Sequence, residues 1–448
     1  MVMPTVDQKA NDATARLQNG SRVPQMLRAL RHRNFQLFFS GHLISLIGTW
    51  MDNIAEAWLV YRLTGSSLLL GTVAFAGQIP VFLLAPIGGM VADRWNRKRV
   101  VIATQATSMV LAGILAVLTL TKRVTVWEVA VLAALTGAVN AFDIPARQAF
   151  LVDMVGREDL MNAIALNSSM FNGARVIGPS IAGILVASIG EGWCFAANSV
   201  SYIAVIIGLL LMRVNHAAME ARRASPVEHI VEGFRFAWNT TPIRALLLLL
   251  GLVSLVAMPY SVLMPIFAAQ ILHGDARTLG ILMGATGVGA LGGALTLASR
   301  SGVSGLGRWV AVACASFGTA LILFSFSRWY LLSVAILVPV GFSMMVQMAS
   351  SNTLIQSMVP DRLRGRVMAV YSMMFMGMAP MGALLSGWSA HHIEAQWTLA
   401  IGGVCAIIGA GLFARNLPKI RVEARQLIIA QGMAGGEPAQ EMTARSVT

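Results

Sequence analysis

The residues of this sequence that could do chemistry are the few charged side chains inside its long apolar runs. Asp52 and Glu56 stand one helical turn apart, as do Asp143 and Arg147, and Arg175 stands alone in its run. A charge held within a lipid bilayer is costly, so such residues mark functional positions. We therefore treat these five side chains as the candidate site.

The two kinds of charge predict different roles. A carboxylate in a low-dielectric site can bind and release a proton, so Asp52, together with Glu56, is the candidate for proton coupling. Alternatively, both acids lie near enough to the membrane surface to stay hydrated, and they then carry no coupling role. Arg175 keeps its charge, which favours pairing with an acid or with an anionic substrate. Asp143 and Arg147 are further candidates for ion pairing or substrate binding.

The second half of the sequence offers neutral groups instead. Asn352 and Gln356 could donate and accept hydrogen bonds to a ligand. The methionines Met344, Met345 and Met348 either line an adaptable binding surface or pack a helical bundle. The three cysteines lie in apolar runs without metal-ligand spacing, and no phosphate-binding loop or nucleophile–base pair appears. The sequence therefore predicts neither an enzyme nor a metal or cofactor site.

The elements that position these residues are membrane spans. Hydrophobic residues make up 56% of the chain and charged residues only 12%, where a soluble domain carries about 25% charged residues. Runs of about 20 apolar residues are long enough to cross a bilayer as helices. Twelve such runs are predicted, near 35–58, 67–91, 99–120, 126–147, 163–188, 193–212, 244–268, 278–298, 308–326, 329–350, 366–389 and 397–414. The predicted fold class is an all-α integral membrane protein.

Basic residues set the predicted orientation. The net charge of +13 comes mainly from arginines and lysines in alternate connections, such as the one with Arg94, Arg97 and Lys98. This asymmetry is typical of cytoplasmic loops, so we expect both termini in the cytoplasm and no binding to nucleic acid. The predicted segments are a disordered tail at 1–21, six-helix bundles at 22–213 and 244–417, a linker with an amphipathic helix at 214–243, and a cytoplasmic tail at 418–448, unstructured from about Gln426.

The two halves of the sequence repeat one another. A shift of roughly 200 residues places Gly377, Gly382 and Gly387 on Gly173, Gly178 and Gly183, so the fifth and eleventh spans look like copies of one helix. A duplicated six-span unit predicts a pseudo-two-fold axis along the membrane normal. A cavity between the halves would then open to each side in turn.

Local motifs carry a resemblance to a known family. The segment from Gly89 to Arg99, with Asp93, Arg94, Arg97 and Lys98, resembles the signature between the second and third helices of the major facilitator superfamily, apart from Asn96 where glycine is usual. The resemblance implies a conformational latch of the outward-facing state. In it, Asp93 faces the start of the eleventh span near Arg366, and Arg97 pairs with an acid, for which Asp153 is the best candidate.

A second motif refines the resemblance. The run with Gly173, Gly178, Pro179 and Gly183 looks like the glycine-proline helix of drug:proton antiporters, although small residues also suit any close helix contact. Further matches around Trp50, Trp58 and Phe142 resemble the enterobactin-exporter-like branch of the superfamily. The resemblance implies a proton-coupled exporter of drug-like or siderophore-like amphipathic molecules, multi-pass in the inner (plasma) membrane. The expected partners are the substrate, protons and membrane lipids, and a monomer is one oligomeric state that the sequence allows.

Two alternatives stay open. The first is a transporter of lysophospholipids or of other metabolites with the same fold. The second is a membrane receptor or assembly factor that moves no solute.

Overall fold

A computed structural model of the chain describes residues 25–156, 158–213, 226–300 and 302–435. Within these ranges every regular element is a helix, as the sequence predicts. The tail predicted at 1–21 and the first part of the predicted linker, 214–225, lie outside the described residues.

Six long helices form the first half of the chain, after a short 3-10 turn at Gln25–Arg31. They are α1 (Arg33–Thr64), α2 (Ser67–Arg94), α3 (Arg97–Leu120), α4 (Val126–Val155), α5 (Leu160–Ile189) and α6 (Glu191–Leu211). The linker contains α7 (Pro226–Asn239). The second half consists of α8 (Thr241–Val256), α9 (Tyr260–Ile266) with a π turn at Phe267–Ile271, α10 (Ala276–Ala298), α11 (Leu306–Ser325), α12 (Tyr330–Met358) and α13 (Asp361–Gly435).

These helices make twelve crossings, which agrees with the predicted count. Ten described segments are long and apolar enough to span a bilayer, with α8 and α9 forming one of them. One of the ten, α13, contains two crossings because its helical backbone breaks at Ile393 and Glu394. The remaining crossing is α1, which is 32 residues long but less apolar because it carries Asp52 and Glu56.

The seventh crossing is interrupted between α8 and α9. Pro259 has no amide hydrogen, and its ring excludes a regular helix through the preceding turn. The freed backbone is covered by the eleventh crossing at Gly382, where a Cβ atom would come within 2.9 Å of the Ser254 carbonyl oxygen and 2.7 Å of the Pro259 ring. Gly382 therefore lets α13 approach the break closely.

Contacts between helices follow the predicted two-fold repeat. In the first half α2 packs on α4, and α6 packs on both α1 and α3; in the second half α10 packs on α12, and α13 packs on both α8 and α11. Between the halves, α2 contacts α13 and α5 contacts α10. A two-fold axis that exchanges the halves converts one of these two interfaces into the other.

Glycines that the sequence repeat pairs with each other allow equivalent close helix contacts in the two halves. A Cβ on Gly178 would lie 3.0 Å from the Ile47 carbonyl oxygen of the first crossing. A Cβ on Gly382 would likewise lie close to backbone carbonyl oxygens of the seventh crossing. Gly183 would bring a Cβ to 3.0 Å from Cα of Gly280 on α10, and Gly387 would bring one to 2.8 Å from Cα of Gly71 on α2. The repeat found in the sequence therefore corresponds to repeated helix contacts.

We call the end of the bundle that carries α7 and Trp95 the linker side, and the end that carries Gly65 and Gly190 the far side. The halves meet closely on the far side, at Gly71 with Gly387 and at Gly183 with Gly280. The glycine-lined contacts α2–α13 and α5–α10 together are called the far-side seams.

The halves part toward the linker side. Near mid-membrane Phe82 of α2 still lies against Gly377 of α13. Nearer the linker side, Cβ atoms on Gly89 and Gly173 would meet no atom within 4 Å. The space between the halves therefore opens toward the linker side.

The end of the described chain corrects one prediction. The segment predicted to be unstructured from Gln426 is wrong for residues 426–435, because α13 runs on to Gly435. Ile420 is buried, and Leu417, Ala424, Leu427 and Ile428 pack partly buried against the main core. This spacing of three and four residues gives one apolar helix face, which the later glycines and proline of the sequence obscured.

Candidate functional site

Arg175 lies where the seam between α5 and α10 ends. It is at the middle of the 30-residue helix α5, about 22 Å along the axis from either end at 1.5 Å per residue. A Cβ on Gly287 of α10 would lie 3.0 Å from the Arg175 carbonyl oxygen. Beyond Arg175 toward the linker side, Gly173 has no such neighbour. The guanidinium is therefore placed at the level where the closed seam gives way to the open space.

Aromatic and sulfur groups surround the Arg175 side chain. Its guanidinium carbon lies 5.7 Å from the ring centre of Trp50, a cation–π distance, and Nη2 lies 3.8 Å from Sδ of Met344 in the second half. Trp50 in turn meets Phe171 edge to face at 5.5 Å, and Phe171 is 47% exposed. Since Phe171 precedes Arg175 by four residues, both side chains share one face of α5.

No acid pairs with Arg175 in the part of the chain that the structure describes. The sequence left two partners open, an acid or an anionic substrate, and Asp52 is not within ion-pair distance of the guanidinium. A half-buried guanidinium thus has an indole ring, a thioether and the electrostatic influence of the Tyr260 hydroxyl group around it, but no carboxylate counter-ion. We call Arg175, Trp50, Phe171 and Met344 the central site.

Gly178 explains why Trp50 reaches Arg175. A Cβ atom on Gly178 would lie 2.5 Å from Cβ of Trp50 and 3.2 Å from the Met51 amide nitrogen. With glycine there, α1 and α5 come close enough for the indole to cover the guanidinium three residues earlier on α5. The glycine-proline motif therefore has a local structural role at the central site.

Asp52 and Glu56 lie beyond the midpoint of α1 toward the far side. Both are half-buried, and Oδ1 of Asp52 is enclosed without a hydrogen-bond partner among the described residues. The polar side chain beside Asp52 is Asn198 of α6, which is buried. The enclosed oxygen argues against the alternative in which Asp52 is simply hydrated at the membrane surface. Its role in proton coupling stays a prediction.

Asp143 and Arg147 belong to a buried polar network between α1, α3 and α4. Oδ1 of Asp143 accepts hydrogen bonds from Thr104 Oγ1 at 2.7 Å and from Gln105 Nε2 at 2.9 Å, while Oδ2 lies 3.4 Å from Nε of Arg147. Nη1 of Arg147 lies 2.5 Å from Nε2 of His42, whose ring stacks on Phe38. The carboxylate of Asp143 is therefore fully engaged within the first half.

This network fixes the tautomer of His42. A guanidinium only donates hydrogen bonds, so Nε2 of His42 must accept and the ring proton must sit on Nδ1. That Nδ1 is buried and has no partner within the described chain, and neither has Oε1 of Gln105. Two unsatisfied polar atoms in an otherwise satisfied network leave it able to bind a water molecule or a polar ligand group.

The neutral polar side chains of the second half differ in whether they have hydrogen-bond partners. Asn352 and Gln356 hydrogen-bond to each other along α12, and Gln356 is exposed. Gln347 is 1% exposed, and neither amide atom has a hydrogen-bond partner among the described residues. It lies one turn after Met344 and so on the same side of α12.

The charged groups on the linker side form the expected pair but not a closed latch. Arg97 Nη1 lies 3.1 Å from Oδ1 and 3.2 Å from Oδ2 of Asp153, and Lys98 Nζ donates to the Met212 carbonyl at 2.8 Å. Asp93 and Arg94 are exposed, and no hydrogen bond or ion pair joins Asp93 to α13 among the described residues. The latch was predicted for the outward-facing state, whereas here the linker side is open, so its function stays a prediction.

Arg366, the expected neighbour of Asp93, is engaged by the linker instead. Glu232 of α7 forms an ion pair with Arg366. Close packing supports the pair, because a Cβ on Gly233 would lie 2.7 Å from the Arg366 carbonyl oxygen. In this arrangement α7 is fixed to the start of the eleventh crossing.

Sequence reasoning missed His42, Thr104, Gln105 and Gln347. The rule that singled out charged residues inside spans would have found His42 if histidine had been included. The neutral residues carry no such signal, because threonine and glutamine also occur within spans as satisfied packing residues. Trp50 was noted only as part of a family motif, and its contact with Arg175 depends on how α1 and α5 pack.

The comparisons with known proteins agree with this geometry. Residues 25–446 match the family described as transmembrane secretion effector. The chain belongs to this family. It is thus a membrane transporter of the major facilitator superfamily and not an enzyme, as the resemblance in its motifs predicted.

Similar curated proteins are exporters and transporters of bacteria. The chain is 27% identical to the staphyloferrin A transporter of Staphylococcus aureus over 373 residues, which cover 83% of this chain and 93% of that protein. It is 28% identical to the multidrug efflux pump Tap of Mycolicibacterium fortuitum, with coverages of 84% and 93%. It is 25% identical to the enterobactin exporter EntS of Citrobacter koseri, with coverages of 87% and 93%.

Solved structures with the same fold include the nucleoside transporter NupG, at a TM-score of 0.67 and 13% identity, covering 86% of this chain and 98% of that one. A bacterial homologue of the lysosomal transporter Spinster, in an inward-facing and unoccupied conformation, aligns at a TM-score of 0.66 and 13% identity, with coverages of 91% and 98%. These likenesses establish the twelve-helix transporter fold.

Proposed function

We propose that this protein is a proton-coupled exporter of small amphipathic molecules, of the drug or siderophore type, that works by alternating access. Siderophore and multidrug exporters are among its relatives by name, and each aligns over most of its length. The observation that carries the proposal is the pairing of closed far-side seams with an open space on the linker side. This is one of the two end states that alternating access requires.

The proposed orientation places the linker side and both termini in the cytoplasm of a bacterial cell, with the protein multi-pass in the inner membrane. Arg94, Lys98, Arg362 and Arg415 lie on or next to this side, in keeping with the excess of basic residues in cytoplasmic loops. An exporter in this state would load its substrate from the cytoplasm or from the inner leaflet. The exposed aromatic side chains Phe234 and Trp238 of α7 suit contact with the lipid surface.

Asp52 is the proposed proton carrier, with Glu56 one turn further along α1. It lies beyond the level of Arg175 toward the far side, and its enclosed Oδ1 lacks a partner in the described chain. A proton taken up there from the far side would neutralise the carboxylate and favour return to the state seen here. Proton uptake from the far side and substrate exit to that side would then alternate.

Proteoliposomes test the coupling. Wild-type protein is expected to move dansyl-labelled amphipathic probes when a pH gradient is imposed, and Asp52→Asn is expected to abolish this coupled flux. Asp361→Asn makes the same chemical change at a side chain that is 87% exposed, and it should leave the flux intact. Unchanged coupling in Asp52→Asn would remove that residue from the mechanism. A wild-type protein that moves no probe under any gradient would contradict the exporter assignment.

A further inference from the structure

We propose that the central site binds the anionic group of the exported molecule and that this group is attached to an aromatic body. This inference rests on the proposed exporter function and names the chemical class of its substrate. Four features carry it: an arginine without a counter-ion, its depth in the membrane, the aromatic surface beside it, and the place of the site at the end of the far-side seam.

The first feature is electrostatic. The guanidinium of Arg175 stays charged, and no carboxylate of the described residues lies within ion-pair distance. The other intramembrane arginine, Arg147, has Asp143 at 3.4 Å and Asp143 is satisfied by further hydrogen bonds. Among the described residues, one of these two half-buried intramembrane arginines is thus paired with an acid of the chain, and the other is left for a partner that the chain does not itself supply.

The second feature is depth. Arg175 is at the midpoint of α5, about 22 Å along the helix from each end. A phospholipid headgroup at either membrane surface does not reach that level. The partner is therefore a solute that enters the space between the halves.

The third feature is the surface around the cation. Trp50 covers the guanidinium at 5.7 Å, and the exposed ring of Phe171 stands edge to face against Trp50. The two rings give an apolar platform within reach of an aromatic body whose charged group faces Arg175. Met344 supplies a flexible sulfur contact from the opposite half.

The fourth feature is position. Arg175 lies on the seam between α5 and α10, where a Cβ on Gly287 would come within 3.0 Å of its carbonyl oxygen, and Gly173, which is nearer the linker side on α5, has no such neighbour. A ligand bound there touches both halves, so its binding differs between the two end states. A ligand drives a conformational change only through such a difference in affinity.

A matched pair of probes tests the charge requirement. Dansylglycine carries a carboxylate, and dansylglycinamide has the same aromatic body without charge. Equilibrium dialysis against the full chain in detergent, corrected with protein-free micelles, is expected to show tighter binding of dansylglycine by about tenfold or more, because a charge-assisted bidentate contact is available only to the carboxylate. Arg175→Gln should remove this preference while retaining binding of the amide, and Arg175→Lys should restore part of it.

The control is Arg308→Gln, which removes the same charge from an exposed position at the start of α11. It should keep the wild-type preference. Equal binding of the two probes to wild-type protein, failure to bind dansylglycine, or a preference that survives Arg175→Gln would each overturn the inference. If Arg175→Gln does not fold, Arg175→Lys serves in its place: it should weaken the preference for dansylglycine, and an unchanged preference in that variant would overturn the inference.

The same probes separate this inference from the proposed function. Proton-driven flux of both probes at similar rates, insensitive to Arg175, would leave an exporter without an anion site. Selective binding of dansylglycine without any flux would leave the site intact and refute the exporter.

Discussion

A single methyl group at Gly280 should shift the balance between the two end states of this transporter. Gly280 of α10 lies in the far-side seam against α5. A Cβ there would lie 2.5 Å from the Pro179 carbonyl oxygen and 2.7 Å from Cα of Gly183, where ordinary contact begins at 3.4 Å, so the two distances are about 0.9 Å and about 0.7 Å too short. Both neighbours are backbone atoms, so no side-chain rotation relieves the overlap.

The expected magnitude follows from this overlap. Inserting one methyl group into well-packed surroundings costs about 1–3 kcal/mol. The cost falls on the state with a closed far side, because alternating access would separate α5 from α10 at this level in the other state. A difference of about 1–3 kcal/mol changes an equilibrium by a factor of about 5–150, so Gly280→Ala should move the protein toward the state open on the far side. The gain in helix propensity is common to both states and cancels.

Spin-label distances would report the shift. In a background without the three native cysteines, labels at positions 63 and 391 span the far side, and labels at 94 and 362 span the linker side. Gly280→Ala should lengthen the first distance and shorten the second. The control is Gly292→Ala on the same helix, where the nearest atom to a Cβ is a Phe342 ring carbon at 3.8 Å. If the two variants give the same distance distributions, close contact at the seam does not set the equilibrium.

Two further predictions concern other parts of the chain. The hydrogen bond from His32, with the charge of Arg28, holds the pKa of Asp159 below its ordinary value of 3.8. The ion pairs of Asp159 should therefore hold the 3-10 turn against the start of α5 at pH values above 3.8, and this attachment should be lost as the pH falls through the lowered pKa of Asp159. The loss should appear as faster hydrogen exchange in residues 25–32, and Asp159→Asn should show fast exchange at every pH. A wild-type turn that stays protected at pH 2 would contradict this prediction. Gln347→Leu removes two buried polar atoms without partners, so it should increase the free energy of unfolding by about 1–3 kcal/mol and raise the thermal unfolding midpoint. Gln356→Leu should not have this effect. A loss of stability in Gln347→Leu would show that the side-chain amide of Gln347 has hydrogen-bond partners.

The sequence predicts most of the architecture because bilayer thickness imposes long apolar runs. Each predicted crossing overlaps a helix of the structure, but several predicted crossings end six to eight residues before the helix does. The fourth was predicted at 126–147, whereas α4 continues to Val155. The extra turns carry Asp153 and other polar groups that project beyond the hydrocarbon, where hydropathy no longer distinguishes helix from loop.

The sequence identifies the charged residues of the candidate site but not the side chains that they contact. Isolated charges within apolar runs identified Asp52, Arg175 and Asp143, because intramembrane charge is rare. Whether each one has a partner depends on contacts between helices that are far apart in the sequence. Asp143 is satisfied from α3, and Arg175 meets Trp50 across 125 residues of sequence. No local pattern encodes such pairings, and only the glycine-proline motif of α5 indicated that this helix approaches another helix closely.

The two halves share a fold but divide the chemistry unequally. Asp52, Glu56, Asp143, Arg147 and Arg175 all belong to the first half, as do the rings of Trp50 and Phe171 that stand beside Arg175. The second half contributes Met344, Gly287 and neutral side chains across the seam. If the halves rock as rigid bodies, the cation and its aromatic platform keep their geometry in both end states. Only the contacts from the second half change, so the difference in substrate affinity that drives export must arise from that wall.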